Sequence, residues 1–379
     1  VKEHDLRGKR ILFVVNVDWF FLSHRLPLAL AAKQAGADVT VAAADTGRGP
    51  AIEAAGLTFV PLPLSRQGRN PLTEPFAVLA IARLYRRLRP DLVHQVAIKP
   101  VVYGSLAASV VRPRMPRVNA ISGLGFAFST DERARWVGRV VRTLFRVALR
   151  TGRSRTIFQN RIDLDAFVAA GLVPRNRTVL IRGSGVDPER FHPSPPPEGP
   201  VVLLASRMLW EKGVGELVAA APLVRQQFPE TRFIVVGGPD IGNPTAIDRD
   251  QLARWDAEGV IEWWGHRTDM HEVLPQASII ALPTYYPEGL PKVLIEAGAV
   301  GRPVIASDVP GCREIVEDGV NGLLVPPKDP VALANAIVAL LGDPARCAEM
   351  GRAGRDLVVA ELTEAHVVQR TLALYDELL

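Results

Sequence analysis

Three consecutive prolines, Pro195 to Pro197, lie inside FHPSPPPEGP at residues 191 to 200, in a chain that elsewhere alternates strand-like and helix-like segments. Such a run cannot continue a helix or a central strand, because each proline lacks a backbone donor and holds φ near −65°. It reads as a stiff linker. The chain is thereby divided into a domain at 1–190, the linker at 191–200, a second domain at 201–360 and a final helical stretch at 361–379 expected to pack back on the first. Before the prolines, strand-like runs at Arg10 to Val17, Asp38 to Ala43, Asp91 to Val96, Arg117 to Ile121, Arg155 to Gln159 and Thr178 to Ile181 are separated by helical patterns. After them VVLLAS, RFIVVGG, VIEWWG, SIIAL, RPVIASD and GLLVPP are separated in the same way. Strands taking turns with helices form parallel, doubly wound sheets whose ligands bind beyond the strand C-terminal ends. The fold class is α/β, with two similar domains facing one cleft; at 379 residues the chain is too long for a single comfortable core.

The densest chemistry lies in PTYYPEGLPKVLIEAGAVGRPVIASD, residues 283 to 308. The apolar run Ser278 to Leu282 ends at Pro283, a polar turn follows, and Pro291 opens a helix where its missing N–H costs nothing. The first amides of that helix point outward, so Glu288-Gly289-Leu290 offers donors and a partial positive charge to an anion such as a diphosphate. Glu288 precedes the helix and Glu296 lies in its second turn; carboxylates in such a place suit the vicinal hydroxyls of a sugar or ribose. The bland alternative is a cap and a solvated face. SRMLWEKGV, residues 206 to 214, supplies Arg207 and Lys212 on another strand-end loop of the same sheet, and both cations suit a diphosphate. Alone, that loop could equally be an ordinary charged one.

Charge is distributed unevenly. Residues 1 to 190 carry 30 Lys and Arg against 14 Asp and Glu, whereas the remainder carries 15 against 26. A basic half raises the local concentration of polyanions or anionic lipid. No apolar stretch approaches the ~18 to 20 residues of a spanning helix, and VKEHDLRGKR runs into ILFVVNV without a signal-peptide pattern, so export is not expected. Cys312 and Cys347 have no partnered spacing and read as reduced thiols of a cytosolic protein.

With SRMLWEKG, VVGGPD, EGLPKVLIEAGAVGRPVIASD and GCREIVEDGVNGLLVPP in place, the chain resembles the retaining glycosyltransferases of family 4, which share the GT-B fold of two Rossmann-like domains. The resemblance implies that Arg207 and Lys212 bind the donor diphosphate, that Glu288 touches the donor sugar and Glu296 the ribose, and that backbone groups of Gly289 and Leu290 help hold sugar and phosphate. It implies a UDP-sugar as donor substrate, no cofactor and no metal, the Arg/Lys pair and the helix dipole replacing a divalent ion; no Asp-x-Asp stands in a metal-binding loop. In the first half VNVDWFFLSHRLPLA (15 to 29), HQVAIKPVVYGSLAA (94 to 108), ISGLGFAF (121 to 128) and IRGSGVDPERF (181 to 191) resemble the subfamily, α-1,3-N-acetylgalactosaminyltransferase-like, that extends polyprenyl-diphosphate-linked sugars in surface-glycan synthesis. The implied partner is a polyprenyl-diphosphate-linked saccharide, and the implied place is the inner face of the cytoplasmic membrane.

Two departures from the family stand out. The glycine-rich loop common after the first strand is replaced by Asn16-Val17-Asp18-Trp19-Phe20-Phe21, and the family's loop histidine is missing from Ser122-Gly123-Leu124-Gly125. His24 and His94 remain as candidate catalytic histidines near strand ends, and either could instead be a capping or packing residue. Asp18, Lys99 and Ser122 are candidates on the acceptor side; Lys99 at a helix start could meet a phosphate or could be merely solvated. RARWVGRVVRTLFRVALR, residues 133 to 150, places Trp136, Val140, Leu144 and Val147 at helical spacing among arginines, the pattern of an interfacial anchor. A core helix with an Arg-rich outer face has the same pattern. Arg83, Arg86, Arg87, Arg112 and Arg114 add to the basic domain and favour the membrane surface. Nucleic acid would suit the charge, but no recognisable module accompanies it. The reading is a metal-independent transferase with front-face attack. A GT-B sugar-nucleotide epimerase and a non-catalytic sugar-nucleotide-binding partner remain as alternatives; a nicotinamide dehydrogenase lacks its G-x-G-x-x-G after the first strand.

Overall fold

The computed structural model describes residues 4–64, 74–122, 134–240, 242–286 and 289–379, with the backbone alone over 134–141. The chain forms two compact units: Val1–Ser184 with Glu364–Leu379, and Gly185–Thr363. The first contains β1 (Arg10–Val17), α1 (Asp18–His24), α2 (Leu26–Gln34), β2 (Asp38–Ala44), α3 (Gly49–Ala54), β3 (Thr58–Pro61), α4 (Glu74–Leu88), β4 (Leu92–Val96), α5 (Ile98–Val111), β5 (Arg117–Ile121), α6 (Ala134–Arg150), β6 (Ser154–Phe158), α7 (Arg161–Ala169) and β7 (Thr178–Leu180). Its strands lie in the order β3-β2-β1-β4-β5-β6-β7, and every pairing is parallel. The turn of direction at β1 and β4, with helices between successive strands, is the doubly wound arrangement expected from the alternation.

The second unit contains β8 (Val201–Ala205), α8 (Val214–Arg225), β9 (Arg232–Val236), α9 (Arg249–Ala257), β10 (Glu262–Trp263), α10 (Met270–Val273), β11 (Ile279–Leu282), α11 (Lys292–Ala299), β12 (Val304–Ser307), α12 (Pro310–Arg313), β13 (Gly322–Val325), α13 (Pro330–Leu341) and α14 (Pro344–Glu361). Its all-parallel sheet runs β10-β9-β8-β11-β12-β13. Strands β8 and β11 are wholly buried, which is why their sequences are continuous apolar runs rather than alternating ones. The last helix, α15 (Glu364–Leu378), returns to the first unit and packs on α2 and β5, burying Leu372, Leu374, Tyr375 and Leu378 in that unit's core.

Both crossings between units fall away from the prolines, at Ser184–Gly185 and Thr363–Glu364. The proline run belongs to the second unit, and two arginines fasten it there. Arg302 donates to the carbonyls of Ser194 and Pro195 at 3.0 and 2.7 Å, and Arg355 to those of Phe191 and Pro188 at 2.7 and 3.1 Å. Proline carbonyls are good acceptors with no neighbouring N–H to compete, and a buried guanidinium needs several of them.

In α6 the buried side chains are Phe145, Ala148 and Leu149, packed with Phe158 and Phe167, while Arg142, Arg146, Val147 and Arg150 are exposed. This end of the helix is therefore a core helix with an arginine-rich outer face. Trp136 and Val140 lie where only the backbone is described. Among the described residues no single helix is long and apolar enough to cross a membrane.

Candidate functional site

The site is built where the β8 and β11 loops meet. Neighbouring parallel strands bring their C-terminal ends side by side, and β8 and β11 are neighbours. After β8 a single turn of 3-10 helix, Trp210–Lys212, ends at Gly213 in the left-handed conformation, φ +80. A Cβ on Gly213 would stand 2.2 Å from the carbonyl oxygen of Pro283, so only glycine lets the two loops approach this closely. One carbonyl then joins them: Glu211 O accepts from Thr284 Oγ1 at 3.0 Å and from the amides of Tyr285 and Tyr286 at 2.9 and 3.1 Å. Lys212, only 9% exposed, carries its Nζ over the Tyr286 ring, 5.2 Å from the centroid. Two cations expected from separate reasoning, Lys212 and Arg207, are thus on the loop that is attached to residues 283–286.

Arg207 is held from a third strand. Its Nη1 lies 2.5 Å from Asp240 Oδ2, beyond the end of β9. The two loops are kept together by Met208 N donating to Gly238 O and by Gly237, whose Cβ would collide with Ser206 O at 1.8 Å. Arg207 is about one-third exposed and Asp240 is nearly covered, so the carboxylate orients the guanidinium while a face of it stays open. Asp240, Glu211 and Tyr286 were not picked out in the sequence. The aspartate could have been: it closes the phrase VVGGPD at a strand C-terminal end, where a carboxylate can meet the cation on the next loop.

Helix α11 starts at Lys292 with Pro291 as its N-cap rather than its first residue, and the proline supplies no side-chain cap. Proline at that point keeps extended backbone, ψ 114°, and has no side-chain oxygen to cover the first amides. Glu296 is 8% exposed and lies 3.5 Å from Lys292 Nζ, one turn earlier on the same face. Gly289 and Leu290 precede the helix, with Leu290 packed into the core of the unit at 9% exposure. Glu288 lies outside the described residues. A separate cavity of about 650 Å³ is lined by Pro200, Ser278 and Pro303, which precede β8, β11 and β12. It opens at the strand N-terminal edge, the wrong edge for a doubly wound sheet's ligand.

In the first unit, Asp18 is fully buried at the start of α1 and its carboxylate accepts from the amides of Trp19, Thr46 and Arg48 and from the Thr46 hydroxyl. Burial alone would raise its pKa, but these donors together outweigh it and hold the carboxyl below the usual range. Asp18 thus fastens the β2–α3 loop to α1 and offers no open oxygen to an acceptor. Lys99 is in the first turn of α5 and pairs with Glu74 at 2.7 Å. Just before it Ala97 has φ 76° and ψ 166°, backbone space that is nearly glycine-only, and such strain gathers at functional turns. Ser122 is half-buried at the end of β5. His24, half-buried in the last turn of α1, stacks on Phe20 with centroids 4.1 Å apart.

His94 is 1% exposed in the middle of β4, stacked on Phe13, with Nδ1 2.6 Å from the hydroxyl of Tyr375 on α15. Burial, with the nearby Arg25 cation adding to it, pushes the imidazole well below its ordinary value, and burial pushes the Tyr375 phenol well above. It is a neutral histidine packed inside one unit. That placement differs from the strand-end position expected for a proton-transferring group, because the β4 C-terminus is two residues further on.

Two family models match the chain: "Glycosyl transferases group 1" over residues 199–343 and "Glycosyl transferase 4-like" over residues 10–160. The N,N'-diacetylbacillosaminyl-diphospho-undecaprenol α-1,3-N-acetylgalactosaminyltransferase of Campylobacter jejuni is 28% identical over 385 residues, covering 95% of this chain and 98% of its own. A putative glycosyltransferase of Bacillus subtilis, EpsD, is 26% identical, covering 97% and 96%. Among solved structures, Anabaena HepE in complex with UDP-glucose superposes with a TM-score of 0.76 at 22% identity, over 98% of this chain and 100% of that one. The sucrose-phosphate synthase of Thermosynechococcus elongatus gives 0.79 at 24%, over 98% and 99%. These structures share the fold, GT-B, with its two Rossmann-like units.

Proposed function

This chain belongs to the group 1, family 4-like glycosyltransferases, and from that premise we propose that it transfers a hexose or N-acetylhexosamine from a UDP-sugar to a polyprenyl-diphosphate-linked saccharide, with retention at the anomeric carbon and without a metal. The observation that carries the donor half is the joining of the β8 and β11 loops at Glu211 O, which ties the loop bearing Arg207 and Lys212 to residues 284–286, on the segment that leads into α11. Two cations and a helix N-terminus are the complement of a diphosphate leaving group. Charge grows on that group as the anomeric bond breaks, and fixed donors aimed at developing charge are commonly the largest catalytic effect. Buried Glu296 suits the ribose hydroxyls, and Glu288, Gly289 and Leu290 suit the transferred sugar. In front-face attack the departing phosphate oxygen takes the proton of the acceptor hydroxyl, so no protein base is required.

The Campylobacter relative acts on a diphospho-undecaprenol-linked sugar by name, and the first half of this chain carries a large excess of arginine and lysine. Both favour a diphosphate-bearing lipid at an anionic membrane surface, the inner face of the cytoplasmic membrane, with Lys99 and Ser122 as contacts and Asp18 shaping the loop beside them. His24 is the remaining histidine candidate for that side.

The test is to incubate the purified protein with a panel of labelled UDP-sugars and polyprenyl-diphosphate sugars, and to read the anomeric configuration of the product by NMR. Glycosylated lipid with the donor's anomeric configuration is expected, and Arg207→Ala should lower kcat about 10²- to 10³-fold with the fold intact. An epimerised donor formed without acceptor supports the epimerase reading instead. Unchanged turnover in Arg207→Ala would sink the donor assignment.

A further inference from the structure

The cavity of about 650 Å³ at the strand N-terminal edge lies wholly within the second unit, between α14 and the proline run. Helix α14 turns one face to it at i, i+3, i+4 spacing. Pro344, Cys347, Ala348 and Gly351 line the first part of that face and Arg352, Arg355 and Asp356 the rest, so the cavity is a groove about 18 Å long by the helix rise. Its two ends differ in chemistry. Leu340, Leu341 and Phe228 join the Pro344 end, whereas the other end holds two guanidinium groups and one carboxylate.

The walls are fastened. Arg302 ties Ser194 and Pro195 to Pro275 O, and Arg355, which holds Phe191 and Pro188, also donates to Ala299 O at 2.7 Å, at the end of α11. Charge-assisted hydrogen bonds keep such walls from closing, and small-molecule pockets are commonly preformed clefts of this size. Among the described residues Arg352 has neither a hydrogen bond nor an ion pair, and it is exposed. With Arg302 counted, three cations line the groove against Asp356 alone.

The lining also selects the kind of molecule. Its six prolines have no N–H to offer, and the carbonyls of Ser194 and Pro195 are taken by Arg302. A peptide laid here would leave backbone groups unpaired. Water alone would leave the apolar wall hydrated. An alkyl or prenyl chain needs no hydrogen bond, covers that wall, and can carry a negative head to Arg352.

We propose that this groove binds a single-chain amphiphile with an anionic head, carboxylate or phosphate, the chain lying along Leu341, Pro344 and Ala348 and the head on Arg352. The site is at the opposite edge of the sheet from the β8 and β11 loops and does not depend on the activity proposed above.

The full chain, with excess UDP to occupy any diphosphate site, is titrated by calorimetry with decyl phosphate, decanoate and decyltrimethylammonium, each below its micelle concentration. Both anions should bind with Kd of about 10–100 µM, the tighter one identifying the head group, and the cation at least about tenfold more weakly. Arg352→Glu should weaken decyl phosphate about tenfold or more. Ala348→Trp, which brings a ring into the groove from an exposed position, should abolish this binding with Tm unchanged. Crystals grown with decyl phosphate should place the phosphate within hydrogen-bond reach of Arg352. No binding, equal affinity for all three amphiphiles, or wild-type binding by either variant overturns the proposal.

Discussion

Replacing Gly213 by alanine isolates what the close approach of the β8 and β11 loops contributes. Two effects add. Holding a non-glycine residue in left-handed backbone costs about 1–2 kcal/mol, and the new Cβ stands 2.2 Å from Pro283 O, a separation no rotamer can relieve because the obstacle is backbone. The loops must part, weakening the three hydrogen bonds at Glu211 O, each worth roughly 0.5–1.5 kcal/mol. The sum is about 3–5 kcal/mol. Gly259, in the same unit, has φ +69 and nothing within 4 Å of its virtual Cβ, so Gly259→Ala carries only the backbone cost. In calorimetry of the full chain, Gly213→Ala should lower the second unit's midpoint by roughly 6–20 °C and Gly259→Ala by about 2–8 °C. Titration calorimetry should show UDP affinity falling at least about tenfold in Gly213→Ala, since Lys212 moves with the loop, and unchanged in Gly259→Ala. If the two alanines lower the midpoint equally and UDP binding is unaltered in both, the close approach does not organise the site.

Asp240→Asn should raise the KM for the sugar nucleotide about three- to tenfold with a smaller effect on kcat, because Arg207 keeps its charge and loses its orienting partner. Asp18→Asn should cost about 2–4 kcal/mol at pH 7, since an amide nitrogen would face backbone donors. The folded carboxyl titrates below its ordinary 3.8, so the stability it contributes is present above pH 3.8 and fades as pH falls through the lower folded value. The gap between wild type and Asp18→Asn in denaturant midpoint should therefore close only below about pH 3.8. Ala97→Gly should leave stability unchanged or raise it by up to about 1 kcal/mol, contrary to the usual loss, because the residue occupies glycine-like backbone. Cys347, pushed up to about 11 by burial and donating to Leu340 O, and buried Cys312 should both resist a thiol reagent at pH 8 until the chain unfolds.

The sheets were legible because their strands are short apolar runs between turn residues, and a parallel sheet leaves few ways to join them. β3 escaped notice: TFVP is four residues, half-buried at a sheet edge and ended by a proline. VIEWWG promised a longer strand than the two residues of β10, since it too lies at an edge with one neighbour. That the loop of Arg207 and Lys212 meets residues 283–286 could be expected from topology alone, because both segments follow strand C-terminal ends of one sheet. The partnerships of His94 with Tyr375, 281 residues away, and of Asp18 with Thr46 and Arg48 could not. These depend on how helices dock, which local pattern does not encode. The proline run was recognised as a stiff segment, but its attachment to Arg302 and Arg355 is a matter of tertiary acceptors and shifted the boundary between units by several residues.

The return of α15 to the first unit has a consequence for how the protein is made. A ribosome releases chain from the N-terminus, and domains fold as they emerge. Here the second unit, Gly185–Thr363, is fully synthesised while the first still lacks its last helix. Until Glu364–Leu378 emerges, the surface of α2 and β5 that it covers is open to water, and His94 has no Tyr375 hydroxyl to meet. The unit begun first is thus finished last. A stalled or clipped product ending near Thr363 should carry a complete second unit attached to an incomplete, apolar-faced first one, and chaperones and proteases would recognise it by that face.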